Sequence, residues 1–399
     1  MEDLFKKLGI GLPIIQAGMA GGITTPELVA AVSNAGGLGT IGAGYMGSVE
    51  LKQMIEQVKE LTDRPFAVNL FSVNLETFST EVEETQQYLN RFRSGLSIDP
   101  GSTSIKVNDY LHEKIYIILQ ENVRVVSTAF GVLSSVLIDR LKQKNITLIG
   151  MATNLEEAEQ LVEAGYDAVV AQGYEAGGHR GTFNMKKYPN GCNIGLFTLV
   201  QELVRFLPVP VIAAGGIHTK KQVDALISLG ASGVQLGTRF LVAKEAGTNE
   251  SYRRALIKAK TEDTVLTKVF SGRPARAIRN EFIRTMEDSG VTIHPFPLQN
   301  ELTKDIRAAG KEFADSEVQS LWAGQGVGAI QREESVTDIL NIVMGSYMTQ
   351  VQQQEETDAV TEVAATNQVT KHENATDEWV AQADQPSGEV EAKTASAEK

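Results

Sequence analysis

Residues 171–183 read AQGYEAGGHRGTF, and the run AVVAQG (168–173) leads through Gly177 and Gly178 into His179. Imidazole is the side chain suited to hold an anion or move a proton near neutral pH. Glycine lets the backbone approach a ligand closely or take positive φ. The stretch reads as a ligand wall, or as a surface loop with a solvated histidine. Two other apolar runs also end in glycine. VPVIAAGG (209–216) closes on Gly215 and Gly216, and VQLGTRF (234–240) carries Gln235, Leu236, Gly237 and Thr238. Converging N–H groups and one hydroxyl suit a phosphate monoester. The plain alternative is a pair of tight strand-to-helix turns. Asn69 and Gln172 end further runs, and their amides match a ring with both donors and acceptors. The small residues around Ala17–Gly22, a stretch that includes Gly18 and Met19, leave room for a planar body.

These residues need a scaffold that gathers them. Eight short runs lack apolar–polar alternation: 12–17, 37–44, 66–71, 123–130, 147–153, 168–173, 209–216 and 234–240. That pattern suits strands buried on both faces of a parallel sheet. Helical segments separate them. TTPELVAAVSNAGG has Thr25 as N-cap, Pro26 in the first turn and Gly36 past the end. NLEEAEQLVEAGYD has Asn154 as N-cap with Glu157 three residues on and Gly165 as terminator. HTKKQVDALISLGAS stops at Gly230. Eight β/α units predict an α/β fold, a (β/α)8 TIM barrel over 1–240, rather than an open doubly wound sheet. An insertion follows the third strand (72–122) and ends in the helix VNDYLHEKIYIILQEN. Residues 241–348 read as a mostly helical extension capping the barrel. GLGTIG (37–42) matches a dinucleotide fingerprint, but a helix precedes it and its glycines fall within the strand, so that reading is rejected.

In such a barrel, sites lie at the strand C-termini and phosphate commonly binds after strands seven and eight. Gly215–Gly216 and Gly237–Thr238 occupy those places. A phosphorylated planar cofactor is then FMN or PLP. PLP requires a strand-end lysine, and none of the eight runs carries one. FMN is the expectation. No His/Cys/Asp/Glu spacing suggests a metal, no G-x-S-x-G occurs, and Cys192 lacks a nearby histidine.

Composition narrows the class further. The chain has 399 residues, 42% hydrophobic and 22% charged, with net charge −13 and one cysteine. The charge argues against nucleic acid, and no apolar run is long enough for a membrane span. Neither a signal peptide nor a disulfide is indicated, which points to the cytoplasm. A homo-oligomer stays open. Residues 351–399 hold eleven Asp/Glu against three Lys, so 349–399 read as a disordered acidic tail. His112, His218, His294 and His372 have weaker claims than His179; His218 reads as part of a helix start. Arg180 reads as a second anion contact or, preferably, a surface ion pair.

The motifs LPIIQAGMAGG, SNAGGLGTIGAGY, VNLF, AQGYEAGGHRG, VPVIAAGG and VQLGTRFL, with the later LQNELTKDIR and LWAGQG, resemble the class I nitronate monooxygenases, formerly called 2-nitropropane dioxygenases. The resemblance spans roughly 1–345. It implies an FMN-dependent barrel that oxidises alkyl nitronates with O2 to carbonyl compounds and nitrite. The toxin propionate 3-nitronate is the family's typical substrate, so the role would be detoxification. Carried over, Asn69, Gln172, Gly177, Gly215 and Gln235 through Thr238 would hold FMN and His179 would be catalytic. One departure is STAFGVLSS, where a proline is expected soon after Phe130-Gly131. The nearest rival is the FMN-dependent enoyl-acyl carrier protein reductase, which shares AGGLG, EAGGH, AAGGI and GTRF but needs NADH and an acyl groove. HRGTF, QNEL and W-x-G-Q favour the monooxygenase. A non-catalytic flavin- or phosphate-binding sensor is the rival of another class.

Overall fold

Residues 4–345 and 347–348 are described by a computed structural model. The eight apolar runs become eight strands: β1 (Ile14–Gln16), β2 (Gly39–Gly42), β3 (Phe66–Phe71), β4 (Val125–Ala129), β5 (Thr147–Ala152), β6 (Ala168–Gln172), β7 (Val211–Ala214) and β8 (Gly233–Leu236). Each pairs in parallel with its neighbours from β2 round to β8, and β8 pairs with β1. Leu38 closes the ring: its N–H donates to the Ile14 carbonyl and its carbonyl accepts from Gln16, both at 2.9 Å. The result is a (β/α)8 barrel. Ile15, Ala67, Val125, Ile149, Ala168 and Ile212 fill the interior, and Leu4, Phe5 and Leu8 pack against them at the strand N-termini. Burial of apolar area drives this arrangement.

The expected helix signals act where they were read. Thr25 Oγ1 accepts the Leu28 N–H at 3.0 Å and opens helix Pro26–Asn34. Asn154 caps Leu155–Glu163 through the Glu157 N–H. The Glu157 carboxylate does not close a capping box, however. It accepts from the Thr153 N–H and hydroxyl and from the Phe183 N–H, which ties the helix start to the His179 loop. Thr219 and Gln222 form a reciprocal capping box on Lys220–Ser228.

The insertion holds the anticipated helix as Leu111–Gln120, a second helix over Glu83–Gly95 and a short hairpin of Thr77–Ser79 with Ile105–Val107. The extension carries helices Glu250–Lys258, Glu281–Asp288, Lys304–Glu312 and Val336–Met344. It also carries two antiparallel strands, β9 (Thr264–Thr267) and β10 (Ala275–Ile278), within the stretch anticipated as mostly helical. β10 pairs with the two-residue strand Gly178–His179. Insertion and extension share a core in which Leu89 packs with Phe270, Phe282, Met286 and Ile306. Residues up to Gly345 accordingly form one compact unit. The tail expectation for 349–399 lies outside the described residues.

The rejected GLGTIG motif has a packing explanation. A Cβ on Gly39 would overlap the Val29 backbone, and one on Gly42 would overlap that of Met19. These glycines let helix Pro26–Asn34 and the β1 loop lie directly on β2. Gly39→Ala is expected to lower unfolding stability by about 1–3 kcal/mol, the cost typical of overpacking. Urea denaturation checks it, and a change within about 0.5 kcal/mol, as surface substitutions give, would refute this account of the motif.

Candidate active site

The C-terminal ends of the strands surround one cavity of about 1340 Å³, its open mouth included. All the singled-out residues line it. Ala17, Gly18 and Met19 come from the β1 exit and Asn69 from β3. Gln172, Gly177 and His179 come from β6 and its loop. Gly215 and Gly216 follow β7, and Gln235, Leu236, Gly237 and Thr238 end β8.

The β7–β8 rim is built to donate. Gly215 and Gly216 have φ of +134° and +67°, which a side chain would strain. Among the described residues, the N–H groups of Gly215, Gly216 and Gly237 donate to no acceptor. The Gly216 carbonyl is already engaged by Gln222 Nε2 and His218 Nδ1, each at 3.0 Å. That His218 contact sits beside the capping box, consistent with the helix-start role. A Cβ on Gly237 would meet only Ala17 and Met19, at 3.6 and 3.9 Å. It would project into the cavity rather than into packed protein. Gly177 is different: a Cβ there would overlap the Gly324 N–H and Ala323, so its bareness admits the 322–324 segment.

The His179 loop is held from several sides. The Gln172 amide spans it: Nε2 donates to the His179 carbonyl at 2.9 Å and Oε1 accepts the Gly181 N–H at 2.8 Å. Gln172 is thereby a brace as well as a wall. Asn69 Nδ2 donates to Ser127 Oγ at 2.9 Å. Arg180 is neither an anion contact nor a surface ion pair. It is fully buried and donates to the carbonyls of Gly173, Gln172 and Cys192 at 2.6–3.0 Å. Cys192 serves that loop through its main chain, and burial raises its thiol pKa. His294 instead contacts Thr85 Oγ1 at 3.0 Å.

His179 Nε2 lies 2.8 Å from Ser271 Oγ. Its ring sits 5.1 Å from Trp322, 5.9 Å from Phe130 and 6.1 Å from Phe296. Phe71 and Tyr45 continue this aromatic wall, with Phe71 4.6 Å from Phe130. Phe130 adopts φ +78°, a left-handed conformation costly for an aromatic residue. The Arg273 guanidinium covers its ring at 4.0 Å. Burial, then the charges of Arg273 and Arg307, push the His179 pKa down to about 3. The imidazole is therefore neutral at physiological pH, and in the free site it does not hold an anion as an imidazolium. Ser271, Arg273, Phe296 and Trp322 escaped sequence reading because they arrive from the extension, far along the chain. Tyr45 and Phe130 do sit just past strand ends, a signal that could have found them. Among the described residues no His/Cys/Asp/Glu group could hold a metal, and no helix is long and apolar enough to cross a membrane.

Fold and cavity together define a (β/α)8-barrel enzyme whose mouth joins a bare N–H rim to a shielded neutral histidine. A sequence model of nitronate monooxygenase matches residues 2–345. The chain is 42% identical over 337 residues to a probable nitronate monooxygenase of Staphylococcus saprophyticus, covering 84% of this chain and 95% of the relative. It is 43% identical over 341 residues to one of Staphylococcus aureus, covering 85% and 96%. Among solved structures it resembles a nitroalkane oxidase of Streptomyces ansochromogenes, with TM-score 0.80, 34% identity and 88% and 99% of the two chains covered. It also resembles FabK of Thermotoga maritima, with TM-score 0.67, 29% identity and 88% and 98% covered. The chain belongs to the nitronate monooxygenase family and is an oxidoreductase.

The lowered His179 pKa has a linkage consequence. Between about pH 6.5 and 3 the unfolded chain binds a proton at this histidine that the folded chain does not. Stability is therefore lost as pH falls through this window, with a slope of at most about 1.4 kcal/mol per pH unit. His179→Gln should flatten the stability curve between pH 6.5 and 4 in urea melts. Parallel curves for the two proteins would contradict a neutral, shielded imidazole.

Proposed function

We propose that this chain binds FMN and oxidises alkyl nitronates with O2 to carbonyl compounds and nitrite. Propionate 3-nitronate is the representative substrate and detoxification in the cytoplasm the role, the latter supported by single-cysteine usage. The observation that carries the reading is the pairing of unengaged N–H groups on Gly215, Gly216 and Gly237 with a histidine across one cavity. Several converging backbone donors meet the needs of a phosphate. Asn69, Gln172 and Gln235 line the same cavity, which would take the planar ring.

Bound FMN would supply the electron acceptor that a carbanionic substrate requires. The chain's own residues select and orient that substrate. The charges that most influence His179 are the guanidiniums of Arg273 and Arg307. Such a field favours an anion over a neutral molecule, and a nitronate arrives as an anion. The rings of Phe71, Phe130, Phe296 and Trp322 exclude water and give its alkyl part an apolar wall. His179 provides a polar contact within that wall.

The enoyl reductase reading draws on the FabK likeness and is separable by assay. Oxygen uptake with propionate 3-nitronate, and no oxidation of NADH with crotonyl thioester, is the expected pair of results; turnover of the second mixture alone would overturn the proposal. Under the same assay His179→Asn should keep the flavin colour and lose most nitronate turnover, and unchanged turnover would remove His179 from the chemistry. Gly237→Val tests the cradle separately. Its Cβ would enter the rim in ordinary contact with Ala17 and Met19 only, so FMN affinity should fall at least about tenfold, a loss of about 1.4 kcal/mol, while the apoprotein melts normally. Unaltered FMN affinity would rule out phosphate at this rim.

A further inference from the structure

The extension places the fully buried hydroxyl of Ser271 against the His179 ring. The turn carrying it is rigid. The N–H groups of Ser271 and Gly272 both donate to the Lys268 carbonyl, at 3.2 and 2.7 Å. Gly272 has φ +81° and no room for a Cβ against the backbone of 294–296. Ser271 Oγ has three neighbours and one proton. Oγ lies 3.2 Å from the Arg273 carbonyl, which only accepts, and 3.3 Å from the Arg273 N–H, which only donates. The third neighbour is His179 Nε2 at 2.8 Å. If the hydroxyl proton goes to the carbonyl, the remaining lone pair faces Nε2, and all three contacts are satisfied only when Nε2 carries the imidazole proton. Nδ1 of His179 makes no hydrogen bond among the described residues, and the ring lines the cavity.

We infer that Ser271 is a positioning residue that holds the His179 proton on Nε2 and so leaves the Nδ1 lone pair free to take a proton from substrate. The inference rests on the reading of the site as one for nitro compounds, and it concerns the neutral nitroalkane rather than the preformed nitronate. With a nitroalkane, the α C–H bond breaks and its proton forms an N–H bond at Nδ1. The bonding pair stays on the substrate as the nitronate, and the imidazolium later returns the proton to solvent. Nε2–H donates to Ser271 Oγ before and after this transfer, so the hydroxyl need not turn as the ring becomes charged. A preformed nitronate skips the step and should be indifferent to the tautomer.

Two readouts test the assignment on the full-length protein. Nitrogen-15 NMR of the histidine rings, with His179→Asn to assign the signal, should show His179 protonated at Nε2 in the wild type. Ser271→Ala should give a mixture of tautomers, and Ser271→Thr should restore the Nε2–H form. A wild-type Nδ1–H tautomer, or a Ser271→Ala spectrum like wild type, would overturn the inference. Kinetically, Ser271→Ala should lower kcat with nitroethane roughly tenfold, part of the 10²–10⁴ a general base supplies, and leave kcat with ethyl nitronate within about twofold. An equal fall with both substrates would mark a merely structural role and refute it. Absence of turnover on any nitro compound would count against the proposed function, while the tautomer would still decide the role of Ser271.

Discussion

Three buried guanidiniums hold together the loop on which the site depends. Arg180, Arg273 and Arg276 are almost wholly excluded from solvent, yet their hydrogen bonds run to main-chain carbonyls, apart from one from Arg276 to Thr264 Oγ1. Arg180 takes those of Gln172, Gly173 and Cys192. Arg276 takes that of Tyr174, and Arg273 takes those of Arg180 and Thr182. A glycine-rich segment has high conformational entropy to lose, and a buried segment of this kind must still satisfy its carbonyls. The arginines meet both demands. Burial lowers the pKa of Arg180 and Arg273 to about 10, so both remain cations at neutral pH. The strained Phe130 backbone is held within the same construction, its ring pressed under Arg273.

That arrangement also fixes the electrostatics. A cation paired with carbonyl dipoles keeps its net charge, whereas an ion pair would cancel it. Arg273 and Arg307 thus act on a neutral imidazole, a combination suited to receiving an anion without first protonating the histidine. Because β10 pairs with Gly178–His179, the extension does more than cover the barrel. It contributes the strand that sets the histidine backbone, the hydroxyl beside its ring and the Trp322 wall.

The barrel was legible because each strand is a continuous apolar run closed by a turn, a signal carried within six or so residues. The glycine rim was legible for the same reason: Gly215, Gly216 and Gly237 fall at strand ends, where topology alone brings them together. His179 stood out by its glycine neighbours. Arg180 was misjudged, since a charged residue beside a polar loop ordinarily faces water, and only the tertiary path of 172–192 shows carbonyls converging on it. Helix Glu83–Gly95 was missed because its polar sequence hides a narrow buried face of Thr85, Gln86, Leu89 and Arg93. β9 and β10 were missed because four-residue strands carry little periodicity. Ser271 and Trp322 lie 92 or more residues beyond His179, and no local pattern announces such a contact.

The central claim is that one cavity holds a flavin phosphate at the β7–β8 rim and the flavin ring against His179. A crystal structure of the chain purified with FMN tests it most directly. The account predicts phosphate density within hydrogen-bond distance of the Gly215, Gly216 and Gly237 N–H groups, and tricyclic density in van der Waals contact with the His179 side. Flavin density elsewhere, or a phosphate seated away from that rim, would contradict it.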